Sequence, residues 1–220
     1  MHHLLRSLDD GVRIGLVSNP HGSRSELLRW VLLSLGQPAA PEENYVDLFS
    51  RFQDFLIAEY AAGRRVVLIF DEAQNLGRKA LEELRMFTNI NSGTDVLLQL
   101  VLVGQPELRD IVHRPDMRQF AQRVASSFHL SAMDRDTVRA YVDHRLKRVG
   151  MKRRIFDDAA IDLVHQATGG VPRLVNQLCD LAMVYAFSSG KKRVIEMHVR
   201  QVLDDGTLFA VNGPGAEGDM

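Results

Sequence analysis

A single cysteine, Cys179, stands in 220 residues, and this excludes any internal disulfide framework. A lone thiol suits a reducing compartment. Leu174, Val175, Leu178 and Ala182 surround it at helical spacing, which predicts a buried structural thiol. Metal-ligand spacing is lacking too: eight histidines are scattered with no pairing that would hold zinc or iron. Excess charge of one sign is absent, because 27 Lys and Arg against 28 Asp and Glu leave a net charge of −1, so no global basic field points to nucleic acid. No apolar run approaches the ~20 residues that span a bilayer, and no apolar signal segment opens the chain. A cytoplasmic location follows as the expectation, with any contact to the inner membrane made through partners. Internal repeats are also missing.

What is present is enough apolar residue, 45%, to bury a real core in one domain with a small appendage. Val12 to Val17 is a short apolar run ending at Asn19-Pro20, which predicts a buried strand. A helix capped by Ser23 or Ser25 follows, with Leu27, Leu28, Val31, Leu32 and Leu35 inward and Gly36 at its end. A second helix carries Val46, Phe49, Phe52, Leu56 and Tyr60 as its apolar stripe. Val66 to Phe70 is apolar on both faces, as a central parallel strand must be. A helix from Arg78 to Thr88 puts Leu81, Leu84 and Phe87 inward, and 89–95 is polar and turn-like. Leu97 to Val103 is expected as a third buried strand, and Ser127 to Leu130 as a short fourth. From Asp134 onward the pattern is helical: Thr137 to Val149, Asp158 to Thr168, Pro172 to Ser188, and a last helix around Met197 to Leu203. Strand–helix alternation followed by helices alone predicts an α/β core over 1–130 and a helical lid over 131–206, with 207–220 as a disordered tail.

The chemistry concentrates where Val66-Val67-Leu68-Ile69-Phe70 runs into Asp71-Glu72-Ala73-Gln74-Asn75-Leu76. Two adjacent carboxylates after a buried strand fall at the carboxyl edge of a parallel sheet, where such folds bind ligands. Asp71 there suits the water shell of a Mg²⁺ that bridges nucleotide phosphates, and Glu72 suits orienting or deprotonating an attacking water. The plainer alternative is that both acids merely favour the N-terminus of the next helix. Gln105 ends the next strand at the same edge. Arg118, Arg123 and Arg173 are the arginines whose order along the chain suits charge developing on a phosphoryl group, although any one of them alone reads as a solvated surface residue.

That order is what makes a family resemblance specific. Asp71-Glu72-Ala73-Gln74-Asn75-Leu76, Leu98 to Arg109 with Gly104-Gln105-Pro106-Glu107-Leu108 inside it, and Gly169-Gly170-Val171-Pro172-Arg173-Leu174-Val175-Asn176 resemble the AAA+ ATPases of the ExeA (general secretion pathway protein A) type, from about residue 4 to residue 203. The resemblance implies a P-loop NTPase-like core with a lid, and ATP and Mg²⁺ as cofactors. Asp71 and Glu72 become its Walker B pair, with Asp71 holding Mg²⁺ through water. Gln105 becomes sensor 1, Arg173 sensor 2, and Arg123 the arginine finger with Arg118 as second choice. Implied partners are further copies of the chain, in a ring or a nucleotide-dependent dimer, and membrane proteins of a secretion system. A DNA-transaction ATPase is the less favoured alternative, suggested by Lys147-Arg148, Lys152-Arg153-Arg154 and Lys191-Lys192-Arg193. A pseudo-ATPase scaffold is the third reading.

The sequence departs from the family in one respect: it contains no Gly-x-x-x-x-Gly-Lys-[Ser/Thr], the Walker A loop whose amides wrap phosphates. Either Ser18 to Ser25 is a decayed loop, or Met1 to Leu8 is the end of the helix that follows the loop and Val12 to Val17 is the fold's second strand. Strand counting favours the second register, because the family places a strand between that helix and the Walker B strand. On this expectation of N-terminal truncation, a first strand beside the Walker B strand is missing, and the strands ending at Asp71 and Gln105 keep open ladder groups. Marginal stability and weak ATP binding are expected with it.

Overall fold

The computed structural model describes residues 11–18, 20, 24–92 and 95–207. The chain forms two compact units that divide between Ser127 and Phe128. The expected helix end at Met1 to Leu8, the cap at Ser23 and the tail from 208 onward lie outside the described residues, as do four positions of the Ser18 to Ser25 segment.

In the first unit β1 (Val12–Ser18) leads through α1 (Arg24–Ser34) and α2 (Tyr45–Ala61) to β2 (Arg65–Asp71). α3 (Arg78–Phe87) follows, then a two-residue hairpin of β3 (Asn91–Ser92) and β4 (Asp95–Val96), and then β5 (Leu98–Leu102). α4 (Pro106–Val112) and α5 (Arg118–Ala121) close the unit. The sheet is parallel in the order β1-β2-β5, with Ile14 beside Val67 and Leu68 beside Leu100. β2 is central: Val66, Leu68, Ile69 and Phe70 are buried, which explains the unbroken aliphatic run there.

The arrangement corrects four expectations. The strand ending at Asp71 lacks no neighbour, because β1 and β5 occupy both of its sides. The unpaired sides belong to β1 and β5, each of which pairs only with β2 among the described residues. β5 is also half-buried rather than buried: Leu98 faces the core while Gln99 and Val101 are exposed. Ser127 to Leu130 forms no strand, since an extended segment makes no ladder without a neighbour and none pairs with it among the described residues. Phe128 and Leu130 stand 89% and 94% exposed there.

The fourth correction concerns α2. Its buried face is Leu48, Phe52, Leu56 and Glu59, while Val46 and Tyr60 are exposed. Glu59 takes an inward position because Arg64 grips its carboxylate through Nε and Nη2, at 2.7 and 2.8 Å, and Arg13 approaches to 3.5 Å. A paired carboxylate tolerates burial that a lone one would not. The core of the unit gathers Leu28, Val31 and Leu32 from α1, Phe52 and Leu56 from α2, and Leu81, Leu84 and Phe87 from α3 around β2.

The second unit is helical: α6 (Arg135–Arg148), α7 (Asp158–Thr168), α8 (Pro172–Ser188) and α9 (Glu196–Asp204), with a single parallel bridge between Phe156 and Val194. Asp134 and Asp157 cap α6 and α7 by accepting from the N–H groups of Thr137 and Ala160, both at 2.8 Å. Buried Arg139 of α6 donates to the carbonyls of Phe156 and Asp157, both at 3.0 Å, and so ties α6 to the start of α7. Cys179 is buried in this unit's core beside Val175, Leu178 and Ala182, and desolvation pushes its thiol up to about 12.

Candidate functional site at the carboxyl edge of the sheet

β2 delivers Asp71 and Glu72 to the carboxyl end of the sheet, and the chain turns sharply there. Glu72 has φ +55° and ψ +39°, the only positive φ of a non-glycine residue among those described. Such a conformation is uncommon outside glycine and asparagine, and it clusters at functional turns. A short 3₁₀ turn, Ala73–Asn75, follows, and α3 begins only at Arg78, with Gly77 at its N-cap. The Glu72 side chain makes no capping hydrogen bond. The two acids therefore stand several residues ahead of α3, and Glu72 does not cap the 3₁₀ turn that it precedes.

The ends of β2 and β5 are fastened together. Val103 donates its N–H to the Phe70 carbonyl at 2.8 Å, and Ala73 donates its N–H to the Val103 carbonyl at 2.9 Å. Gln74 adds a third link: its Oε1 accepts from the Gln105 N–H at 3.0 Å, and its Nε2 donates to Glu72 Oε2 at 2.6 Å. Gly104 leaves room for this approach: a Cβ there would fall 2.7 Å from Gln74 Oε1 and 3.2 Å from the Gln74 backbone nitrogen, displacing the amide. Gln105 itself precedes Pro106, the first residue of α4, and its exposed side chain makes no capping bond. Asp71, Glu72 and Gln105 are thus brought to one edge. Gln74 also belongs there; its place in the Asp71–Leu76 run was visible in the sequence, its reach to the Gln105 turn was not.

Asp71 is half-buried and its Oδ1 accepts from the Glu72 N–H at 3.0 Å, leaving Oδ2 without a hydrogen bond among the described residues. One carboxylate with a spare oxygen fits Mg²⁺, which keeps several waters and takes its other ligands from phosphates. Among the described residues no group of three or more His, Cys, Asp or Glu is placed to hold a metal by itself. Arg118 begins α5 and Arg123 follows it, both exposed and without a side-chain partner among the described residues, on a segment that Met117 and Phe120 anchor in the core. The fold gives both arginines the same exposure and so does not separate them.

In the second unit Arg173 lies exposed in the first turn of α8, after Pro172. The Gly169-Gly170 turn before it has both residues at positive φ, +56° and +73°. A Cβ on Gly170 would lie 1.8 Å from the Met133 carbonyl oxygen. The same unit carries the basic clusters Lys147-Arg148, Lys152-Arg153-Arg154 and Lys191-Lys192-Arg193, all exposed, with Arg154 paired to Asp143 at 3.2 Å.

A parallel sheet with an acidic pair at the carboxyl end of its central strand, helices around it and a helical unit after it is the fold of the P-loop NTPases. Residues 1–112 match the family model of the AAA domain, and the chain belongs to that family. It is similar to general secretion pathway protein A of Aeromonas hydrophila, at 36% identity over 211 residues, covering 93% of this chain and 39% of that protein. Among solved structures, the Aeropyrum pernix ORC2 protein in ADPNP–ADP complexes aligns with a TM-score of 0.64 at 17% identity, over 93% of this chain and 54% of that one. Cdc6p from Pyrobaculum aerophilum aligns with a TM-score of 0.64 at 16% identity, over 89% and 53%. At such identities these two show the fold alone. The chain spans well under two thirds of each of these relatives. No helix among the described residues is long and apolar enough to cross a membrane.

Proposed function

We propose that this chain is the part of an ATP-hydrolysing AAA+ protein that handles magnesium and the attacking water, in a protein whose nucleotide cycle drives an envelope secretion or export process. The observation that carries the reading is the Asp71-Glu72 pair at the carboxyl end of β2, fastened to the Gly104–Gln105 turn at the end of β5. The link to secretion rests on the similarity to general secretion pathway protein A. ATP comes from the family.

In this reading Asp71 holds Mg²⁺ through water, and the ion neutralises charge on the β- and γ-phosphates. Glu72 accepts a proton from the attacking water or orients it. Gln105 donates from its side-chain amide toward the γ-phosphate. Arg123, from a neighbouring copy, and Arg173 add positive charge as the phosphoryl group leaves. Self-association then forms part of the active state.

The 220 residues contain no Walker A string, and in this reading they hold no intact amide cradle for the phosphates. The chain by itself binds Mg·ATP weakly on this account. Titration with a fluorescent ATP analogue tests it, and micromolar affinity overturns it. Hydrolysis is tested by fusing the strand, Gly-x-x-x-x-Gly-Lys-Thr loop and helix of an AAA family member ahead of residue 1. A fusion that binds ATP and does not turn it over removes the ATPase reading.

A further inference from the structure

Gln74 makes two hydrogen bonds that no spacing rule assigns to it. One planar amide spans the Glu72 carboxylate, at 2.6 Å from Nε2, and the backbone N–H of Gln105, at 3.0 Å to Oε1. Its two ends cannot be satisfied independently, because turning the amide toward either partner alone breaks the other bond. Glu72 meanwhile sits in a left-handed turn whose backbone does not fix the direction of its side chain. The 3₁₀ turn carrying Gln74 is held against β5 by the Ala73 to Val103 bond, and Gly104 leaves the room the amide needs.

We propose that Gln74 is a positioning residue: it couples the carboxylate of Glu72 to the backbone of the Gly104–Gln105 turn, so that base and phosphate sensor take up their places together. The proposal rests on the ATPase reading for its chemistry, and on the hydrogen bonds alone for the coupling. A charge-assisted bond from a neutral amide holds a carboxylate more strongly than a neutral pair would, and the acceptor end carries any displacement of Gln105 back to Glu72. Gln74 touches neither water nor phosphate in this account. It acts through Glu72.

Amide hydrogen exchange of the full chain, resolved by NMR, reads the coupling without nucleotide. Glu72→Ala removes the far end of the bridge and leaves the Gln105 turn untouched, yet it is expected to lower protection of the Gln105 amide by about threefold or more. Gln74→Leu lowers that protection as well, and adding Glu72→Ala to Gln74→Leu changes it no further. Gln105 protection unchanged in Glu72→Ala overturns the coupling.

The Walker A fusion reads the chemistry. Gln74→Leu is expected to lower kcat about tenfold or more while KM stays within about twofold, as misplacement of a base does. Gln74→Glu keeps the acceptor for Gln105 but sets a carboxylate against Glu72 and loses that end of the bridge, so it is expected to lower both kcat and Gln105 protection. A wild-type kcat in Gln74→Leu overturns the positioning role while the ATPase reading stands. No turnover by the parent fusion removes the ATPase reading, while the exchange experiment still decides the coupling. Circular dichroism of each variant separates loss of fold from loss of the bridge.

Discussion

Glu72 combines three features: a left-handed backbone, an exposed carboxylate, and a hydrogen bond to a side chain that reaches a second turn. Glu72→Gln in the Walker A fusion is expected to lower turnover by about 10²-fold or more with nucleotide affinity preserved, measured by phosphate release beside analogue titration. A loss of binding in equal measure would assign Glu72 to the phosphates instead. Cys179 supports a prediction of another kind. Burial holds its thiol protonated up to about pH 12, so a disulfide reagent at pH 8 reacts with it only as the second unit opens. Rapid labelling of the native chain would contradict that. At this scale the sequence made the place of Asp71, Glu72 and Gln105 at the sheet edge legible, because each follows an aliphatic run and the end of a strand is visible in composition. Gln74 was not legible as a bridge, since a side chain's reach to a turn 31 residues away leaves no periodic trace. The family resemblance ranks Arg123 ahead of Arg118, and the structure adds nothing to that order, because both are solvent-exposed on one anchored segment.

At the scale of elements, the helices of both units and the parallel strands were legible from periodicity, and α2 shows where that signal fails. The stripe through Val46, Phe49, Phe52, Leu56 and Tyr60 is rotated by roughly 60° from the face that is buried, taking ~100° per residue. Glu59 belongs to the buried face although polarity keeps it out of any apolar stripe, and its pairing with Arg64 is a tertiary fact. The two hydrogen bonds from Arg64 hold the Glu59 carboxyl below its ordinary 4.5; burial opposes this, and the charges of Arg64 and Arg13 add to it. A lowered folded-state value makes this contribution present above pH 4.5 and lost as pH falls through the folded value. Glu59→Gln is therefore expected to destabilise the first unit by about 1–3 kcal/mol at pH 7 and to flatten its acid limb. Urea midpoints at pH 7 and pH 3 check it; an equal loss at both would locate the effect in packing rather than charge. Ser127 to Leu130 failed as a strand for a related reason: its residues favour extension, and pairing is a property of the neighbour.

For the whole molecule, a net charge of −1 with basic clusters confined to the second unit sets the expectation for nucleic acid. Duplex DNA should retain the chain weakly at low salt and release it by about 200 mM, as a few phosphate contacts would. Retention beyond that concentration would favour the DNA-transaction alternative. If Arg123 acts on a neighbouring copy, Arg123→Ala in the fusion keeps ATP binding and loses turnover, and mixing it with Glu72→Gln restores part of the activity. Mixed-variant turnover with sedimentation in Mg·ATP checks this, and failure of complementation would place the arginine in its own site.

The sheet order β1-β2-β5 carries a consequence for how the protein is made. Among the described strands of the larger sheet, each joins the edge that its predecessor left open, so their order of pairing is their order of synthesis. A nascent chain that has cleared the ribosome through β2 can form the β1–β2 pair, and β5 then closes over the other side of β2 without displacing anything. Among the described residues the outer sides of β1 and β5 stay unpaired, and there a newly made copy is most open to an unwanted strand from its neighbour on the same message.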